Sequence, residues 1–363
     1  MNPFADLIQV PVVQAPMAGG ASRPELAAAV CEAGGLGFLA AGYKTAEQMQ
    51  SEIADTRQRT SKPFGVNVFV PRRSVADPAA VVEYLASLER EATRLGTAIG
   101  EAVWEDDDWA AKLDALRRDP VPVVSFTFGC PAHHELAALR HAGSLVVVTV
   151  TTPAEAEVAA SAGADGLALQ GFEAGGHRGS FGDPPGTESD FGVLSLIGSV
   201  RSAVDLPMIA AGGIMEGRDV AAVLAGGAIA AALGTAFLRC PESGASATHK
   251  AALVDPRFTA TDITRAFSGR RARGLVNRFM TDHADAPVAY PEINNATKAL
   301  RSAAAAAGDA EALHLWAGQG FRSSKDLPAG KIVQEIVSEL GQAVDALDET
   351  RGSPDPPAGD DSS

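Results

Sequence analysis

The chain has 363 residues, 46% of them hydrophobic, with 37 glycines and a net charge of −15. This is enough for one large barrel-type domain or two ordinary ones, and the acidity argues against a general binder of nucleic acid or anionic membrane. Cys31, Cys130 and Cys240 are far apart with no CxxC pair, so neither a disulfide frame nor a metal site is indicated; no signal peptide or membrane-length apolar run is legible, and a cytoplasmic protein is expected.

Eight short apolar runs read as strands: 12–15, 36–40, 64–69, 121–126, 144–150, 166–169, 208–211 and 228–233. They are apolar nearly throughout, as parallel strands covered on both faces must be. Helical segments lie between them. The first is predicted over 23–33, with Ser22 as N-cap and Pro24 in the first turn. Others follow at 45–59, 78–95, 131–142, 153–162, 194–203 and 217–225. The span 101–118, with its WEDDDW, reads as a solvated helix or excursion. Strand and helix alternating eight times predict a (β/α)8 TIM barrel over residues 1–239, with a doubly wound sheet as the alternative. A mainly helical C-terminal subdomain is expected over 240–325, with helices at 246–254 and 293–307. An amphipathic helix over 326–349 packs back on the protein or on a partner subunit. The Pro/Asp/Ser tail 350–363 reads as disordered.

In a barrel of this kind the loops after the carboxyl ends of the strands build the active site. AAGGI at 210–214, followed by a helix, can bring backbone amides and a helix start to a phosphate. Gly234 and Thr235 after the next strand supply a second set of donors. The alternative is that these glycines only permit tight turns. Asn67 and Gln170 are amides in strand context. They can read the edge of a flat heterocycle such as a flavin, or simply pair with backbone. QGFEAGGHRGSF at 170–181 sets His177 among glycines at a strand end. An imidazole there is a candidate base, and glycine lets substrate approach closely. Glu173 and Arg178 are given no chemical role. Cys130 reads as a buried thiol. The five arginines of RAFSGRRARGLVNRF read as surface pairing, a lid or a subunit contact, not as a nucleic-acid site.

QAPMAGG, FGVN, QGFEAGGHRGSF, AAGGI, GTAFL and FSGRRARGLVNRF together resemble the motif series of the nitronate monooxygenases, over about residues 8–321. The resemblance implies a TIM barrel with a helical second domain that holds FMN without a metal. It implies FMN contacts at Pro16, Met17, Asn67, Gln170, Gly175, Gly213, Ala232, Leu233, Gly234 and Thr235, and at Gln319 within AGQGF. It makes His177 the catalytic residue, which binds the nitronate and takes the α-proton of a neutral nitroalkane. The implied reaction oxidises alkyl nitronates, such as propionate 3-nitronate, with O2 to a carbonyl compound and nitrite, by way of an anionic flavin semiquinone. Thr127 stands where relatives often carry histidine. Tyr290, Asn294 and Lys298 are spaced to share one helix face, where Lys298 can meet a substrate carboxylate. Substrate contacts are thus expected at Thr127, Tyr290, Asn294 and Lys298, and a homodimer is the expected assembly. An NAD(P)H-dependent enoyl reductase on the same barrel, or a flavin-binding protein without turnover, are the competing readings.

Overall fold

The computed structural model describes residues 4–183 and 190–352. The strands, numbered in chain order, are β1 (Val12–Gln14), β2 (Phe38–Ala40), β3 (Gly65–Phe69), β4 (Val123–Thr127), β5 (Leu145–Val150), β6 (Gly166–Gln170), β7 (Gly176–His177), β8 (Met208–Ala211), β9 (Ala230–Leu233), β10 (Thr261–Thr264) and β11 (Ala272–Leu275). The eight predicted runs all form strands of one parallel sheet, in the order β1-β9-β8-β6-β5-β4-β3-β2. The sheet closes on itself. Val13 bridges Leu36 in parallel, Gln14 N donates to Leu36 O at 2.9 Å, and Leu36 N donates to Val12 O at 3.0 Å. Beyond the bridge, the buried Gln14 side chain takes over and accepts from Phe38 N at 3.0 Å. This closure excludes the doubly wound alternative.

Alternation along each strand sorts the side chains into two layers. Val13, Phe38, Val123, Val147, Ile209, Ala230 and Ala232 fill the barrel interior, with Phe4 among them. Val12, Leu167, Leu169, Ala210, Ala231 and Leu233 point the other way, into the layer beneath the helices. Toward the carboxyl end the inward positions turn polar, with Asn67, Ser125, Thr127, Thr149 and Gln170, so the site lies at that end.

Several helices begin on a side-chain cap. Thr45 forms a capping box with Gln48 at the start of Ala46–Arg59, and Thr152 accepts from Glu155 N ahead of Pro153–Ala162. The first helix is an exception. Its N-cap is Arg23, and Ser22 Oγ instead bonds Gln14 Nε2 and Met17 N, both at 2.9 Å, tying the first loop to the barrel seam. The predicted 78–95 helix is two, Pro78–Ser87 and Glu89–Leu95. In the acidic span only Trp109–Arg118 is helical; Asp107 ahead of it accepts from Tyr43 N at 2.8 Å and pairs with the fully buried Lys112 at 2.8 Å.

After β9 a second core forms around Phe258, Phe267, Phe279, Ile293 and Leu300. Ala247–Ala252, Glu292–Ala296 and Lys298–Ala306 provide the expected helices, the last two separated at Thr297. The region also holds an unforeseen antiparallel sheet, β10-β11-β7, in which Ala272 pairs with His177. The final helix, Ala329–Gly352, buries Ile332, Val333 and Ile336 in the same cluster as Val220 and Val223 of the helix Gly217–Gly226. Contact is close enough that a Cβ on Gly217 would meet Leu340 N at 2.2 Å. The tail from 353 lies outside the described residues. No helix among the described residues is long and apolar enough to cross a membrane.

Candidate active site

A cavity of 560 Å³ opens at the carboxyl end of the barrel and is roofed by the second core. Pro16, Met17, Asn67, Thr127, Gln170, Gly175, His177, Gly213, Ala232, Gly234, Thr235, Asn294 and Lys298 all line it. Sequence positions more than 280 residues apart therefore meet around one space.

Two expected contacts stand apart from it. Leu233 is fully buried but faces the helices, because Ala232 beside it takes the inward place in the strand alternation. Gln319 is exposed; its backbone N donates to Glu173 O at 3.0 Å, and its neighbour Gly318 reaches the cavity instead. Tyr290 lies on an adjoining cleft, 5.6 Å from the His177 ring between centroids. It precedes the helix Glu292–Ala296, so the expected single helical face is a turn, a short helix and a second helix in succession.

The glycine loops leave backbone amides free at the cavity, but the helix start expected to join them is taken. Gly213 has φ +71, and a Cβ there would meet Glu173 Cβ at 3.1 Å. The amides of Gly213 and Gly234 make no hydrogen bond among the described residues and border the cavity. Unspent donors of this kind suit an anion. The following helix start is not available to one. Asp219 accepts from Met215 N and Glu216 N, and Glu339 accepts from Gly217 N at 2.8 Å. Gly175 is a glycine for packing, since a Cβ would fall 2.5 Å from Ala317 C.

The amides expected to read a heterocycle are largely committed. Gln170 Nε2 donates to His177 O at 2.9 Å, and its Oε1 accepts from Gly179 N at 2.7 Å, folding the histidine loop back over the strand end. Asn67 Nδ2 donates to Ser125 Oγ at 2.9 Å and Thr127 Oγ1 at 3.0 Å, leaving its carbonyl oxygen as the open end. Thr127 Oγ1 lies 3.3 Å from Thr149 Oγ1, so the Thr127 hydroxyl belongs to a ladder across β3, β4 and β5.

His177 is held from all sides. Its strand pairs with β11, and its ring packs within 5.5–5.9 Å of Phe128, Tyr290 and Trp316. Nε2 lies 2.8 Å from Ser268 Oγ. Burial, then the charges of Arg270 and Arg301, push the imidazole down to about 3, so it is neutral near pH 7. The arginine run divides: Arg278, about a third exposed, makes the surface pairing expected of it with Glu91 and Asp282, whereas Arg270, Arg271 and Arg273 are buried. Arg270 is 5% exposed, donates to Arg178 O at 3.1 Å and Ser180 O at 2.5 Å, and lies 4.2 Å from the Phe128 ring centre. Arg271 pairs with Asp190, and Arg273 stacks 4.4 Å from the Phe172 ring. Burial puts both Arg270 and Arg301 below the usual arginine range without removing their charge.

Arg301 was missed in the sequence. It follows Lys298 by one helical turn, and Lys298, Arg301, Ser302 and Ala305 form the helix face that lines the cavity. Its Nη2 donates to Asn294 O at 2.7 Å and Oδ1 at 3.0 Å, while Nε is buried with no partner among the described residues. His314 Nδ1, in the same wall, is likewise buried and unpartnered. Among the described residues, Glu105 is the one carboxylate on the cavity lining. In a chain of net charge −15, this is a locally cationic chamber suited to an anion.

A closed parallel barrel whose mouth carries two glycine loops beneath buried cations suits an anionic ligand, and the comparisons with known proteins place it among oxidoreductases. The nitronate monooxygenase family model matches residues 2–339. A nitronate monooxygenase of Pseudomonas aeruginosa is 43% identical over 345 residues, covering 92% of this chain and 97% of the relative. A probable nitronate monooxygenase of Staphylococcus aureus is 39% identical over 341 residues, covering 92% and 95%. Among solved structures, the nitroalkane oxidase of Streptomyces ansochromogenes superposes with a TM-score of 0.93 at 54% identity, covering 95% of this chain and 99% of that one. FabK of Thermotoga maritima gives 0.72 at 28%, covering 96% and 99%. The chain belongs to the nitronate monooxygenase family, whose members bind FMN, and its activity is that of a nitronate-oxidising monooxygenase.

Proposed function

We propose that the cavity holds FMN with its phosphate on the amides of Gly213 and Gly234 and the hydroxyl of Thr235, and receives an alkyl nitronate between the flavin and His177. The observation that carries this reading is that His177 and the two glycine loops line the same cavity. FMN, when bound, supplies electron transfer from the nitronate and the reaction with O2. The protein supplies position and field. Arg270 and Arg301 favour an anion beside His177, and the aromatic wall of Phe128, Tyr290 and Trp316 keeps water from the reacting carbon. Lys298 and Arg301 face a carboxylate at the far end of a substrate such as propionate 3-nitronate. With a neutral nitroalkane, the neutral imidazole of His177 accepts the α-proton, and the bound nitronate then stabilises the imidazolium.

The test is purification and an absorbance spectrum, followed by anaerobic nitronate in the same cuvette. A yellow protein that releases FMN and whose flavin spectrum changes on adding nitronate supports the reading. A flavin reduced rapidly by NAD(P)H and indifferent to nitronate contradicts it.

A further inference from the structure

We propose that Ser268 is a positioning residue that locks His177 as the Nε2–H tautomer and so presents Nδ1 as the proton acceptor. The inference rests on His177 being the base. Ser268 is 1% exposed and lies in the segment between β10 and β11. Its Oγ has three neighbours: His177 Nε2 at 2.8 Å, Arg270 O at 3.2 Å and Arg270 N at 3.4 Å. A hydroxyl has one proton to give and two lone pairs to fill. The Arg270 amide can only donate and the Arg270 carbonyl can only accept. The assignment that satisfies all of them sends the Ser268 proton to Arg270 O and leaves Oγ to accept from Arg270 N–H and from His177 Nε2–H. The opposite assignment spends the hydroxyl proton on Nε2 and withdraws it from the buried carbonyl.

The two tautomers differ in what the cavity sees. Nδ1 has no partner among the described residues, and with Nε2–H in place it carries a lone pair. When an α C–H bond of a nitroalkane breaks, its proton forms a bond to Nδ1 and the electron pair stays on the substrate as the nitronate. The imidazolium so formed keeps its Nε2–H bond to Ser268 unchanged, so nothing in the wall rearranges. A ring protonated at Nδ1 would have no acceptor to offer. The charged and titratable groups that face the ring are Arg270 from the β10–β11 segment, Tyr290 ahead of its helix, Arg301 from the helix Lys298–Ala306, and His314. None is a carboxylate, so none takes over the task of Ser268.

The tautomer is read directly from histidine 15N shifts of the FMN-loaded protein, with His177→Asn used for assignment. The proposal expects Nε2 protonated and Nδ1 unprotonated; a protonated Nδ1 overturns it. In kinetics, Ser268→Ala is expected to lower kcat/KM for a neutral nitroalkane about 10- to 100-fold, and by a clearly larger factor than it lowers kcat/KM for a preformed nitronate. Ser268→Thr keeps the hydroxyl and is expected to recover nitroalkane turnover. An equal loss on both substrates marks a merely structural serine and overturns the proposal, as does undiminished nitroalkane turnover. Flavin content and Tm establish that each variant is folded. If His177→Asn itself leaves nitroalkane turnover intact, it is the base assignment that fails, and the 15N shifts alone then decide the tautomer.

Discussion

The two walls of the cavity are built on opposite principles. The barrel rim offers short, neutral groups: glycine amides, the Asn67–Thr127–Thr149 ladder and the Thr235 hydroxyl, which is itself 3.0 Å from Gly318 N. The roof offers the buried Arg301 and the Trp316 ring at the cavity itself, with Arg270 and Tyr290 behind them on the adjoining cleft. The rim is therefore suited to a bulky, uncharged ring system and its phosphate, and the roof to a small anion. His177 belongs to both, since its loop rises from β6 while its strand pairs with β11 of the roof.

Removing the residue that joins the walls has the largest expected effect. His177→Asn is expected to lower nitroalkane oxidation at least about 100-fold, measured as nitrite release, while FMN stays bound. Discharging the roof comes next. Arg301→Met is expected to raise KM for an anionic nitronate about tenfold, roughly the worth of one charge-assisted contact, and to leave the affinity for FMN unchanged. The rim is disturbed by Gly213→Ala, because φ +71 strains alanine and its Cβ crowds Glu173. We expect a loss of about 1 kcal/mol in stability and weakened FMN retention, measured by denaturant titration and by fluorescence of released flavin.

A pH test separates the walls by charge. His177 is depressed to about 3 and His249 to about 4, each chiefly by burial. A histidine depressed on folding contributes stability that is present above its unfolded value near 6.5 and is lost as pH falls toward the folded value. Stability is expected to decline from about pH 6.5 toward pH 3, and less steeply in His177→Asn, as followed by Tm. The smallest effect is expected at Gln319, which is exposed. Gln319→Ala should change stability by no more than about 0.5 kcal/mol and leave kcat/KM alone.

The same contrast explains what the sequence disclosed. The barrel was legible because strands buried on both faces leave unbroken apolar runs, and because glycines mark the loop ends. Its alternation also holds the reason Leu233 fails as a cavity residue, since Ala232 must face inward. The roof was obscure. β7 and β11 are GH and ARGL, with neither length nor β-branched residues to mark them. Arginine is usually exposed, so the run read as surface pairing, a lid or a subunit contact; Arg278 does pair at the surface, but the partners of Arg270 are carbonyls and rings brought in by the fold. Arg301 lay one turn beyond a spacing argument that stopped at Lys298. Ser268 carried no signal apart from the strand pairing that sets it against His177.

The central claim is that one cavity places a flavin on the rim beneath a substrate anion on the roof. A crystal structure of the FMN-loaded protein with a bound nitronate or an inert anion in its place tests it most directly. The account predicts phosphate oxygens within hydrogen-bond distance of the Gly213 and Gly234 amides, and the anion between the isoalloxazine and His177, close to Arg301. A phosphate held elsewhere, or an anion out of reach of His177, would contradict it.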